Sequence, residues 1–258
     1  MGNRFQINIR PVWTPSEIST IGWYDASDLS TVSLGAPSTA TQWNDKSGNS
    51  RNLSTITGTP NYGTATMNGL NVMWWDDTLA AMDSGILADI NCSQVAIISV
   101  GMPKTPGDYP NFGHVGNTAV TDKIIVRLQC GATEGRISSN IVLDGVGTSL
   151  QSAYYSELKE EEPVIAATWY DGANAVSRTN GGSRSISANV ADGATFTINR
   201  IGVGRDSNTP LNYHGEMVVL NTANIDTIEL VEGYLAWKWG LVANLPVGHP
   251  YKLARPTA

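Results

Sequence analysis

The sequence predicts an all-β protein: a two-sheet antiparallel jelly-roll sandwich with one C-terminal amphipathic helix docked on it. Three observations point there. Turn signals recur roughly every ten residues along the chain with no repeat unit, which favours a jelly roll over a propeller. Strand-like alternation is cleanest in Lys123 to Cys130, with Ile124, Val126, Leu128 and Cys130 on one face and Ile125, Arg127 and Gln129 on the other. A single segment, residues 226 to 239, carries apolar residues at the helical period.

Taken in order, Phe5, Ile7 and Ile9 alternate with polar neighbours in FQINIR before Pro11 stops the run. Residues 1–20 therefore form an N-terminal arm or edge strand, able to pair with the sandwich or with a partner chain, and 21–258 form one sandwich domain. Ile21 to Ala26, Leu53 to Thr57 and Leu70 to Trp75 read as strands. Gln94 to Met102 is almost continuously apolar, which suits a strand covered on both faces. Arg136 to Leu143 and Ser149 to Tyr155 flank the hairpin signal Asp144-Gly145. Val164 to Tyr170 and Ala175 to Thr179 form a meander through Asp171-Gly172 and Asn180-Gly181. Phe196 to Val203 and His214 to Leu220 complete the sheets.

The helix has a capping residue at Asp226, with Glu229 three residues on. Ile228, Val231, Leu235 and Trp239 make one stripe, and Leu230, Tyr234 and Trp237 widen it; Glu229, Glu232 and Ala236 fall on the wet side. Leu235, Trp237 and Trp239 are the expected anchors. Gly240 suits a C′ glycine, and Pro246 and Pro250 forbid further helix.

Two sets of residues carry a resemblance. EGYLAWKWGL, followed by the Asn-Leu-Pro of 244 to 246 and the His-Pro-Tyr-Lys of 249 to 252, and Trp23-Tyr24-Asp25-Ala26-Ser27-Asp28 with Gln42 to Asn49, resemble the closing and opening motifs of laminin-G-like, concanavalin-A-like jelly-roll domains of bacterial surface and phage virion proteins. Asn180-Gly181 and His214 to Asn221 are similar to later strands of that family. The resemblance covers roughly residues 20 to 252 and speaks to fold more than to function.

Composition narrows the partners. The net charge of −7 and the lack of a basic run argue against phosphate backbones and anionic membranes, so neither nucleic acid nor membrane is expected. The first twelve residues lack an apolar signal-peptide core. Cys92 and Cys130 are expected as buried thiols, with a disulfide as the alternative.

No catalytic constellation stands out. A glucanase on this fold would carry paired carboxylates on one strand; Glu216 is alone in its strand, and Asp25 and Asp28 are three apart, which in a strand puts them on opposite faces. His114, His214 and His249 are scattered, and Gly-x-Ser-x-Gly is absent. The chain is therefore expected not to be an enzyme and to need no cofactor. Asn44, Asp45, Asp171 and Asp206 are weak Ca²⁺ candidates as loop oxygen ligands, although such residues usually serve the turn itself. Eight Trp and nine Tyr against three Phe suggest stacking surfaces, with Trp74 or Trp75 and Trp169 or Tyr170 as candidates for sugar or interface contacts.

These features give one main expectation: a noncatalytic structural protein of a phage virion, a decoration, fibre or tail-surface subunit that assembles with itself or other virion proteins. The alternative is a lectin-like module recognising cell-surface polysaccharide. A glycoside hydrolase is the third reading, disfavoured by the missing carboxylate pair.

Overall fold

The computed structural model describes residues 11–75, 80–103, 111–116, 126–130, 137–143, 146–150, 161–187, 195–205 and 212–258. Two large sheets stack face to face, and every strand pairing in them is antiparallel. The eight-stranded sheet runs, in spatial order, Ser185–Ser187, Ala175–Thr179, Val164–Tyr170, Val95–Pro103, Asn212–Leu220, Leu70–Trp74 and Asn61–Met67, with Thr20–Asp25 paired to the second half of Asn212–Leu220. The seven-stranded sheet runs Val146–Leu150, Ile137–Leu143, Val126–Cys130, Asn111–Gly116, Arg200–Arg205, Ala80–Asp83 and Thr55–Thr57. The helix, Ile225–Lys238, is the single α-helix among the described residues.

Two cores follow from this stacking. Between the sheets lie Ile97, Met217, Val219, Met73 and Trp75 from one sheet and Val115, Ile201, Val203 and Met82 from the other. On the far face of the eight-stranded sheet, Ala96, Ile98, Val100, Ile165, Ala167 and Val218 meet Ile228, Val231, Leu235 and Trp239 of the helix. The strand Val95–Pro103 reads as a nearly unbroken apolar run because it serves both cores.

A β-bulge decides one side chain that matters. His214 faces the inter-sheet core, edge-on to Trp75, with ring centroids 5.3 Å apart. Strict alternation would put Glu216 on the same side. The register of Asn212–Leu220 slips between His214 and Glu216, and Glu216 emerges on the helix side. Gly215 at the bulge has no room for a side chain: the end of Met67 lies 2.8 Å, and the Trp239 ring 2.9 Å, from where its Cβ would be.

Several expectations change. The helix N-cap is Asn224, whose side chain accepts a hydrogen bond from the Thr227 N–H; Asp226 sits inside the first turn, where its charge suits the helix dipole. Gly240 takes a positive φ of 69° after the C-cap Trp239, and the Leu241 N–H closes back on the Ala236 carbonyl. Glu232 and Ala236 are fully buried, not wet, because the segment after residue 245 wraps the helix's second side. Tyr251 crosses there with its Cβ 2.5 Å from the position a Gly233 Cβ would take, which explains a glycine inside a helix. Trp237 is 40% exposed rather than an anchor, its indole N–H donating to the Tyr251 carbonyl, while Leu235 and Trp239 are fully buried.

The segment Phe196 to Val203 is two strands, Phe196–Ile198 and Arg200–Arg205, that pair with different neighbours. Asn61–Met67, Ala80–Asp83 and Asn111–Gly116 are strands that carry no clear alternation in sequence, and bulges interrupt the first and last. FQINIR and the Asp144-Gly145 turn lie outside the described residues. Residues 11–20 pack against the domain: Val12 bridges Thr257, and Trp13 stacks edge-on against Tyr234 at 5.9 Å.

Candidate functional site

Charge concentrates under the helix. Glu216 is buried and accepts from Trp23 Nε1 at 2.7 Å, Tyr234 Oη at 2.9 Å, Trp239 Nε1 at 2.9 Å and Lys238 Nζ at 2.7 Å. Its partner across the strands is Asp25, whose Oδ2 lies 2.7 Å from Lys238 Nζ and 2.8 Å from Lys46 Nζ. Asp28, beyond the strand end in a short 3₁₀ turn, also accepts from Lys46 at 2.8 Å. Asp25 and Asp28 thus converge on one ammonium, because the chain turns between them. Burial raises the Glu216 carboxyl above the ordinary range, with the Asp25 charge adding to it and Lys238 opposing. Burial also acts to raise Asp25, but the Lys238 charge and the hydrogen bonds from Lys238, Lys46 and Ser27 prevail and hold it low. The Lys46 hydrogen bond holds Asp28 down at about 2.

A second cluster pins the other side of the helix. Arg178 forks onto Glu232 through Nε at 2.9 Å and Nη2 at 2.5 Å. His249 Nε2 lies 3.4 Å from the same carboxylate, and the His249 ring packs on Gly181 where a Cβ would stand. These two clusters account for Asp25, Asp28 and Lys46 of the opening motif and for Glu232, Lys238 and His249 of the closing one.

The candidates from sequence are placed as follows. Trp75, Trp169 and Tyr170 are buried. Trp74 is half-buried beside Tyr213, with centroids 6.1 Å apart, and its indole N–H donates to Thr64 Oγ1. The Asp45 carboxylate accepts the backbone N–H of Trp23, Ser47 and Arg51 and the Ser47 hydroxyl. Asn44 Oδ1 accepts from Gln42, and Asp171 from the backbone of Ala173 and Asn174 and the Asn174 amide. Those oxygens hydrogen-bond within their own loops, Asp45 also holding the backbone of Trp23 in the first strand; Asp206 lies outside the described residues. Among the described residues no group of three or more His, Cys, Asp or Glu is arranged to hold a metal. The Cys92 thiol is buried and pushed up to about 11 by burial.

A constellation not foreseen lies on the outer face of the seven-stranded sheet. The helix packs on the outer face of the other sheet; in this constellation Asp83 and Asn111 are buried, and Arg200 is the exposed member. Ile201 and Val203 point inward, which turns Arg200 and Gly202 outward. Register then sets His114, Gly202, Asp83 and Thr55 in one row across four strands. A Cβ on Gly202 would lie 2.7 Å from His114 Cε1 and 2.8 Å from Asp83 Cβ, so the glycine lets the imidazole lie down on the backbone beside the carboxylate. Arg200 Nη2 binds Asp83 Oδ2 at 2.5 Å, with the Arg200 side chain 40% exposed. The Asn111 amide comes within 3.4 Å of His114 Nδ1. Imidazole, carboxylate, guanidinium and amide, all planar and polar, thus gather around one glycine. The alternation in Arg200 to Arg205 marks the outward positions in sequence; no local signal brings His114 and Asp83 beside them.

No family model and no curated protein matches this sequence. Solved structures do share the fold. A GH54 α-L-arabinofuranosidase mutant soaked with 4-nitrophenyl α-L-arabinofuranoside superposes with a TM-score of 0.57 at 15% identity, over 81% of this chain and 52% of that one. A Trypanosoma rangeli sialidase mutant displaying trans-sialidase activity gives 0.53 at 9%, over 86% of this chain and 33% of that one. Domain 4 of AbnA, a GH43 arabinanase from Geobacillus stearothermophilus solved with arabinotriose, gives 0.53 at 14%, over 78% of this chain and 91% of the domain. The chain thus spans about half of the arabinofuranosidase and a third of the sialidase. The expectation that the chain is not an enzyme is overturned: its fold occurs within glycoside hydrolases and a sialidase, so a missing single-strand carboxylate pair does not exclude catalysis.

Proposed function

We propose that this protein binds glycan on the outer face of its seven-stranded sheet, around Gly202. The observation that carries the reading is the convergence of His114, Asp83, Arg200 and Asn111 around Gly202 on the sheet face opposite the helix, with the Arg200 guanidinium reaching solvent from the buried Asp83 and Asn111. Sugar hydroxyls are paired donors and acceptors on a rigid ring. Planar carboxylate, guanidinium, amide and imidazole groups satisfy adjacent hydroxyls together and lose little rotamer freedom in doing so. The fold supports the same reading, since domain 4 of the arabinanase, of similar extent, was solved with arabinotriose.

Trp74 beside Tyr213 offers a second, flatter surface on the opposite side of the molecule and serves as the control position. A place on a phage particle draws no support from the fold or its likenesses and forms no part of the proposal. The test is a glycan array covering arabinans, sialosides and bacterial polysaccharides, with released sugars measured in parallel. Binding of a defined glycan class that His114→Ala weakens at least tenfold, and Trp74→Ala does not, is the expected result. No binding across the array, or loss only with Trp74→Ala, would remove this surface from consideration. Released product would extend the reading from binding to turnover.

A further inference from the structure

The geometry points to an intramolecular amide cross-link between the Lys238 side chain and the Asp25 side chain, formed with Glu216 as proton shuttle. This is a modification chemistry independent of glycan binding, and it would tie the opening strand to the closing helix covalently.

Each part such a reaction needs is in place. The nucleophile, Lys238 Nζ, lies 2.7 Å from Asp25 Oδ2 and 2.7 Å from Glu216 Oε2. Asp25 and Glu216 are cross-strand partners, so the sheet itself fixes their separation. The other Asp25 oxygen, Oδ1, accepts from the Ser27 N–H at 3.1 Å and the Ser27 hydroxyl at 2.6 Å, two donors able to stabilise negative charge on a tetrahedral intermediate. Lys46 Nζ, at 2.8 Å, supplies a further positive charge beside Oδ2, the oxygen that leaves. The Trp239 and Tyr234 rings lie 5.7 and 5.5 Å from the Lys238 ammonium, and Glu216 and Asp25 are both buried. Enclosure of this kind disfavours an ammonium facing a carboxylate less than it disfavours either ion alone. One proton moved from the Lys238 ammonium to the Asp25 carboxylate, by way of Glu216, gives the neutral amine and neutral acid that must react. The raised Glu216 carboxyl suits a group that must take a proton and return it.

The step balances without a co-reactant. Glu216 takes a proton from the Lys238 ammonium and passes it to Asp25 Oδ2, and the freed amine attacks Cγ of the neutral acid, forming the C–N bond. The Cγ–Oδ2 bond then breaks. Of the three ammonium hydrogens, one remains on the amide nitrogen and two depart with Oδ2 as water, relayed by Glu216. The ion pair is replaced by a neutral amide, and Lys46 keeps its charge against Asp28. Held in contact, the two groups react as a unimolecular pair, which supplies effective molarities of about 10⁵ M or more.

Intact-mass spectrometry of the denatured full-length protein, after days at neutral pH, is the test. The expected mass is lower than the sequence mass by one water. Proteolysis should release a branched peptide joining the Asp25 and Lys238 segments. Lys238→Arg should restore the full mass, and Glu216→Gln should abolish or greatly slow the water loss in protein shown to be folded by circular dichroism. A wild-type mass equal to the sequence mass overturns the proposal whatever the variants do. So does a water loss that maps elsewhere or persists in Lys238→Arg.

Discussion

Asp25 and Glu216 stand opposite each other on neighbouring strands, with the Lys238 ammonium 2.7 Å from an oxygen of each. This joins the opening strand, the last strand and the helix at one point. Replacing Glu216 with Ala would leave two indole N–H groups and a phenol without their buried acceptor and the Lys238 ammonium with Asp25 alone. The expected loss is about 3–5 kcal/mol of unfolding free energy, the range for breaking a buried charge pair. Chemical denaturation of Glu216→Ala within about 1 kcal/mol of wild type would show the network to be dispensable.

Two tryptophans two residues apart should behave very differently. Trp239 is fully buried under the helix end, and its truncation to Ala is expected to cost about 3–5 kcal/mol. Trp237, 40% exposed and tied through one hydrogen bond to the Tyr251 carbonyl, should cost about 1 kcal/mol. Equal urea midpoints for the two variants would contradict the packing described for the helix end.

His214 gives the molecule a pH dependence of its own. Burial alone pushes its imidazole down to about 3, so it stays neutral in the folded protein where the unfolded chain would be protonated. Between about pH 6.5 and 3 this group is protonated in the unfolded chain and not in the folded one, so its own contribution lowers stability as pH drops through that window, while the raised Glu216 carboxyl acts in the opposite sense. The slope from this one group is at most about 1.4 kcal/mol per pH unit. His214→Phe, whose ring fits between Trp75 and Phe112, should flatten the curve above pH 4. Unchanged slope in that variant would place the titrating group elsewhere. Below about pH 4 the low-lying Asp28 adds a loss of the same sign, since its stabilisation is present above the ordinary carboxylate range and vanishes as it protonates.

The strands that serve both cores, Val95–Pro103 and Val164–Tyr170, were legible because a strand covered on both faces leaves an unbroken apolar run. The helix was legible from its period, but its second buried side was not. Glu232 and Ala236 look wet on a wheel until Tyr251 and His249 arrive from a segment with no period of its own. Glu216 looked solitary for a similar reason: its companion is Asp25, far away in sequence, and a bulge turns it to the helix side. The cluster around Gly202 proposed to bind glycan was hidden by the same rule. Gly202 and Arg200 alternate visibly with Ile201 and Val203, yet their neighbours His114 and Asp83 come from strands whose register only the folded sheet defines.

The central claim, glycan binding around Gly202, is tested most directly by titrating the best glycan into wild-type protein and Gly202→Val in a calorimeter. Valine is compatible with a strand, but its side chain must displace the His114 ring and crowd Asp83. The account predicts a fold that melts cooperatively and an affinity lower by at least tenfold. An unchanged dissociation constant in a folded Gly202→Val protein would contradict it.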